Sequence, residues 1–104
     1  MIKPLEIKGW VLHKNKVSNF IVVKGHVRFV FLESLDREKF IIHELSSLED
    51  KPNLYSRLSV EPNVWFAFQG LHSKVSSVLN LSNVFHDETV SERRDLNSFN
   101  YSWV

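Results

Sequence analysis

Apolar residues along this chain recur mostly at every second position, the period of β-strands whose two faces meet different surroundings. In Leu5-Glu6-Ile7-Lys8-Gly9-Trp10-Val11-Leu12 the apolar parity runs through Leu5 and Ile7, then passes to Trp10 and Leu12. A bulge at Gly9 would produce that switch. From Phe20 to Leu32 the odd positions Ile21, Val23, Gly25, Val27, Phe29 and Phe31 are apolar or glycine and predict a core face. The even positions place Lys24, His26 and Arg28 together on the opposite face. This stretch is either one long strand bent at Gly25 or a hairpin turning at Lys24-Gly25. Uninterrupted parity and the lack of an Asn-Gly or Asp-Gly pair favour the bent strand.

Phe40 to Leu45 predicts a short strand, being rich in β-branched and aromatic residues. Pro52 suits a first helical turn, and Leu54, Tyr55 and Leu58 share a helical face, so a short helix is predicted over about residues 52–59. Val64, Phe66, Phe68 and Gly70 alternate along the next strand. A polar loop from His72 to Ser77 leads to a strand in which Leu79, Leu81 and Phe85 face the core while Asn80, Ser82 and Val84 form the wetter side. In the remainder, Thr89 and Glu92 form a candidate capping box. Phe99 to Val104 alternates aromatic and polar residues, which fits a sixth strand, a peptide that docks on a partner, or a loose end.

Composition narrows the class. A chain of 104 residues with 43% apolar residues fits one domain, whose core is feasible without staples. With no cysteine there is no disulfide scaffold, thiolate zinc site or cysteine nucleophile, and a reducing compartment suits it. No apolar run approaches the ~20 residues of a membrane span, and the N-terminus lacks the apolar block of a signal peptide. A soluble intracellular protein is expected, cytoplasmic or nuclear. The net charge of +1 hides a division: residues 1–32 carry six basic residues against Glu6 alone, and the rest carries seven basic against eleven acidic. The first third is the candidate for an anionic partner.

An early glycine-bulged strand, with one helix between the third and fourth strands, resembles the five-stranded OB fold. The resemblance covers residues 4–86 and is carried by Gly9, Gly25, the helix near Pro52 to Leu58, and the strand pair Val64-to-Gly70 and Leu79-to-Phe85. SH3-like barrels and mixed α+β sheets with one helix share much of this pattern. The expected fold is mainly β: a small curled antiparallel OB-like barrel of five or six strands with one short helix. It occupies residues 4–86 of a single domain, followed by a polar and aromatic tail over 87–104.

The resemblance implies a non-enzymatic module that binds single-stranded DNA or RNA weakly, or the small subunit of a complex that handles nucleic acid. Lys24, His26 and Arg28 fall on the expected groove strand, Lys14 and Lys16 flank the first turn, and His72 and Lys74 lie in the loop between the last two barrel strands. Trp65 or Trp10 is the candidate stacking ring, at ~1–3 kcal/mol per stacked base. The plainer reading makes Lys14 and Lys16 ordinary turn lysines, the strand face simply solvated, and the tryptophans core. The alternative function is a protein interaction or inhibitor module, with Phe99, Tyr101 and Trp103 as contacts to a protein partner or a second copy.

Chemistry is sparse in the sequence. The histidines at 13, 26, 43, 72 and 86 occur singly, without the spacing of a metal site, and His86-Asp87-Glu88 reads as a loop cap. Glu6-Ile7-Lys8 resembles part of a nuclease element but lacks the preceding acid. Gly9, Gly25 and Gly70 are too far apart for a phosphate-cradling loop, and none of the 13 serines stands in a nucleophile motif. No cofactor or metal is expected, and an enzyme would need a pocket with convergent titratable groups.

Overall fold

The computed structural model describes residues 1–34, 36–82 and 90–103. Eight strands are described: β1 (Ile7–His13), β2 (Ser18–Lys24), β3 (His26–Ser34), β4 (Lys39–Ser46), β5 (Leu58–Val60), β6 (Phe66–Gly70), β7 (Ser77–Ser82) and β8 (Ser91–Arg93). They form two antiparallel sheets, one of five strands in the order β4-β3-β6-β1-β8 and one of three in the order β5-β2-β7. The chain is mainly β and antiparallel, as its periodicity predicts. The expected closed barrel is corrected: the two sheets face each other as a sandwich, and the described residues include no closed barrel.

The inner core is the layer between the sheets, where Val11, Phe20, Val22, Val27, Phe29, Phe31 and Phe66 pack together. Its centre is a set of tilted rings, with Phe20 and Phe29 centroids 5.2 Å apart and Phe29 and Phe68 5.3 Å apart. Such offset geometries suit the ring quadrupoles and add to the area the rings bury.

The predicted helix over 52–59 is absent. Pro52–Leu54 makes one 3-10 turn, with no side chain capping its start, and Leu58–Val60 is drawn into the sheet by pairing with β2. Pro52 supplies a turn start, but Lys51 offers no capping oxygen, so pairing with a neighbouring strand prevails. The inner and outer sides of β7 are also reversed from expectation: Leu79 and Leu81 are 46% and 51% exposed, while Val78 and Asn80 face inward. Phe85 and Thr89 of the predicted strand and capping box lie outside the described residues.

At Gly25 the chain bends and passes from one sheet to the other, which corrects the single long strand expected from the sequence: β2 and β3 are separate strands, and they are not paired as a hairpin either. The bend also reverses parity. In β2 the even residues Phe20 and Val22 are buried, whereas in β3 the odd residues Val27, Phe29 and Phe31 enter the inner core. Gly25 adopts φ of +97°, and an added Cβ would strike Ser76. Backbone groups at the corner leave the ladders and need other partners. Gly25 N donates to Ser47 Oγ at 2.9 Å, His26 N donates to Ser76 Oγ at 3.1 Å, and Ser46 Oγ donates to Gly25 O at 3.2 Å.

The five-stranded sheet carries a second core on its outer face. Trp10, Leu12, Val30, Leu32, Trp65 and Ala67 are covered there by Phe99, with Phe40, Tyr101 and Trp103 packed around them. Trp10 is fully buried, in edge-to-face contact with Phe99 at 5.2 Å and tilted against Trp103 at 5.8 Å, and Phe99 is 5% exposed. The aromatic end of the chain therefore lies on its own sheet.

Candidate functional site

A cavity of about 280 Å³ opens between the two sheets at the β1 and β7 side of the sandwich. The larger sheet contributes Lys8, Val11 and His13 of β1, Phe66 and Phe68 of β6, and Arg93 of β8; the smaller contributes Phe20, Val78 and Asn80. The register of β1 against β6 slips between Gly9 and Val11, the parity switch read from the sequence. That slip lets Lys8 and Val11, three residues apart, line the same hollow. Gly9 permits it with φ of +133° and no Cβ, which would otherwise lie 2.5 Å from the Cβ of Ala67.

β8 is a short polar strand held on β1 through Val11, Leu12 and His13, and it brings Arg93 to the cavity. His13 Nδ1 lies 2.6 Å from Ser91 Oγ on that strand. A hydroxyl both donates and accepts, so Ser91 can serve either ring tautomer and leaves Nε2 as the other proton site. Burial, reinforced by the charges of Lys16 and Arg93, pushes the His13 pKa down to about 4, so the ring is neutral near pH 7. The described lining contains two cations, a neutral imidazole, an amide and three phenylalanine rings, with no carboxylate. That chemistry suits an anionic ligand with an apolar face. No group of three or more metal-ligating side chains occurs among the described residues.

The low pKa of His13 has a consequence for stability. The unfolded ring takes up a proton near pH 6.5 and the folded ring only near pH 4, so acidification through that window favours the unfolded chain. Solvent screening at this half-exposed site limits the effect to about 1 kcal/mol. The variant His13→Asn is expected to lose less stability than the parent between pH 6.5 and pH 4, read from urea midpoints. Parallel pH profiles would refute this assignment.

The residues picked out from sequence are dispersed. His26 Nε2 lies 2.8 Å from Glu44 Oε1, and Arg28 Nε lies 4.0 Å from the other oxygen of the same carboxylate, so these two share one counter-charge. Lys24 stands on the other sheet, across the Gly25 corner. Lys14 pairs with Glu92 at 2.9 Å, and Lys16 is 7% exposed. Trp65 is buried in the outer core beside Phe99, His72 and Lys74 lie in the loop before β7, and Tyr101 and Trp103 pack on the outer face. None of these lines the inter-sheet cavity. The sequence assigns no site role to Lys8, Asn80 or Arg93, and it sets His13 among the single histidines without the spacing of a metal site. Only Lys8 had a signal, its place beside the parity switch.

No protein-family model matches this sequence, and no curated protein matches it. Solved structures do match. A dTDP-sugar isomerase from Desulfovibrio desulfuricans superposes with a TM-score of 0.83 over 98% of this chain, at 22% identity. The chain spans 66% of that protein's length. The capsular polysaccharide assembling protein CapF from Staphylococcus aureus matches with a TM-score of 0.69 over 83% of this chain, at 19% identity, and the match takes up 22% of CapF. A structure of CapF with the inhibitor 3-isopropenyl-tropolone gives the same TM-score and identity.

The fold is a cupin-like sandwich. It is shared with a sugar isomerase and with CapF, and the OB resemblance is thereby overturned. The nucleic-acid function drawn from that resemblance is corrected with it, and so is the expectation of a non-enzymatic module. The nucleic-acid reading drew its groove positions from a barrel that these strands do not make. Among the described residues no helix is long and apolar enough to cross a membrane.

Proposed function

We propose that the inter-sheet cavity binds a sugar carried on a nucleoside diphosphate and isomerises it. The observation that carries this reading is the convergence of Lys8, His13 and Arg93 over phenylalanine rings, without a carboxylate in the described lining. The shared fold with a dTDP-sugar isomerase supplies the reaction class. In such a step a base removes the proton from a hydroxyl-bearing carbon next to a carbonyl, an enediolate forms, the hydroxyl proton passes to the former carbonyl oxygen, and the carbon proton returns to the former carbonyl carbon. The sum is an isomer, with no oxidant or reductant required. His13 Nε2 takes the proton and gives it back, while Lys8 and Arg93 offset the charge that develops on oxygen.

A pKa near 4 makes His13 a weak base in the empty site. A bound phosphate beside Arg93 offsets one of the cations that depress it, so ligand binding raises the pKa toward neutrality. The test combines calorimetry with proton NMR of the histidine ring, using dTDP-glucose as the probe. Binding is expected to raise the His13 titration midpoint, and the double variant Lys8→Glu, Arg93→Glu is expected to bind at least tenfold more weakly. Unaltered affinity in that variant, or no binding of dTDP-glucose by the parent protein, would remove the proposal.

A further inference from the structure

A second hollow, an open groove of about 480 Å³, adjoins the cavity and shares two of its walls, Gly9 and Arg93. Its other walls are Trp10, Arg94, Asp95 and Ser98, so half of its lining comes from the segment that follows β8. β8 covers β1 only from Val11 to His13, and the last backbone bonds beyond it join Trp10 and Arg94 in both directions at 3.1 and 3.0 Å. The stretch of β1 before Trp10 has no neighbour in β8, and the two hollows meet at that edge.

We infer that this groove is a phosphate subsite continuous with the cavity, so that one ligand is held in two parts on either side of Arg93. The inference rests on the nucleotide-sugar reading above and assigns the diphosphate to the groove and the sugar ring to the cavity. Size points the same way: about 280 Å³ lies at the foot of the ~300–1,000 Å³ range of small-molecule pockets, too small for a whole nucleotide sugar.

Arg94 is prepared for this role. Its guanidinium carbon lies 4.8 Å from the ring centroid of Trp65 and 5.5 Å from that of Phe99. Stacking fixes the plane of the guanidinium while leaving its edge donors open, which reduces the ordering that binding would otherwise require. Among the described residues no carboxylate forms an ion pair with Arg93 or Arg94. Arg93 lines both hollows and Arg94 the groove alone, so the two guanidiniums flank the junction at which a diphosphate would accept bidentate bonds. Asp95 is the sole acid of the groove lining, against the two cations Arg93 and Arg94.

The test uses the whole chain and four probes: dTDP-glucose, dTDP, inorganic pyrophosphate and glucose. Arg94→Gln is expected to weaken dTDP and pyrophosphate at least tenfold and to flatten the salt dependence of their binding. Because Arg94 also contacts two rings, Ser98→Glu serves as the second variant; it adds a carboxylate to the groove without touching the stack and is expected to give the same loss. Asn80→Leu, on the far wall of the cavity, is expected to weaken dTDP-glucose and leave dTDP unchanged. If both groove variants bind dTDP and pyrophosphate as tightly as the parent, the subsite is refuted while the cavity reading stands. If the parent protein binds glucose alone, or none of the four probes, the nucleotide-sugar reading fails as well.

Discussion

Truncation after Ser98 is expected to destabilise this protein severely, to the point that most of the chain is unfolded at 37 °C. Phe99 is 5% exposed and lies edge-on to Trp10 at 5.2 Å, and Tyr101 and Trp103 stack against each other with centroids 4.8 Å apart. Replacing one buried phenylalanine by alanine costs about 3–5 kcal/mol. Removing all three rings also uncovers Trp10 and Trp65, so the total approaches the ~5–15 kcal/mol stability of an ordinary domain. Phe99→Ala gives the graded version, with an expected loss of about 3–5 kcal/mol in urea denaturation. A truncated chain with the urea midpoint of the parent would show that the rings contribute nothing at home. They would then be free to engage a partner.

Gly9→Ala carries the second large effect. At φ of +133° a side chain is strained whatever the space, and here the new Cβ would lie 2.5 Å from the Cβ of Ala67 and 2.9 Å from the carbonyl oxygen of Phe66. Backbone strain of about 1–3 kcal/mol and overpacking of similar size combine to about 2–5 kcal/mol. The same substitution should disturb the cavity, because the slip at Gly9 is what sets Lys8 and Val11 on one face. The expected result is a lower urea midpoint together with weaker dTDP-glucose binding. A variant that keeps the parent's midpoint would show that the β1–β6 contact can open freely, contrary to this account.

What could be read from the sequence follows from how each strand is buried. β4 and β6 were found because their residues and punctuation are local signals. β3 has apolar residues on both faces, Val27, Phe29 and Phe31 inward and Val30 and Leu32 outward, because its sheet has a core on each side. Parity then carries no information about which face is inner. Across Gly25 the alternation continues in sequence while the meaning of odd and even reverses. That is a property of the change of sheet and not of any residue type. A curled barrel and a sandwich share bulges, glycines and short strands; they differ in who pairs with whom, which local periodicity does not encode.

The site was less legible still. β8 is three polar residues, Ser91, Glu92 and Arg93, all exposed, so it offers no apolar stripe to find. Its place is set by pairing with β1 and by the rings that follow it. The basic first third was a real feature, yet of its cations only Lys8 lines the cavity, which it shares with Arg93 from the other end of the chain.

The pairing of β1 with β8 also sets a timetable for synthesis. The bond between His13 and Ser91 joins residues 78 apart, whereas the β3–β4 hairpin closes over a few. Long-range pairs form late because their loop closure must come first. A growing chain can assemble the hairpin early, but β1 waits for β8 with one edge open to any other strand. Ribosomes that stall upstream of residue 91 would release a chain that lacks the Arg93 wall of the cavity and keeps a free strand edge, which is open to aggregation.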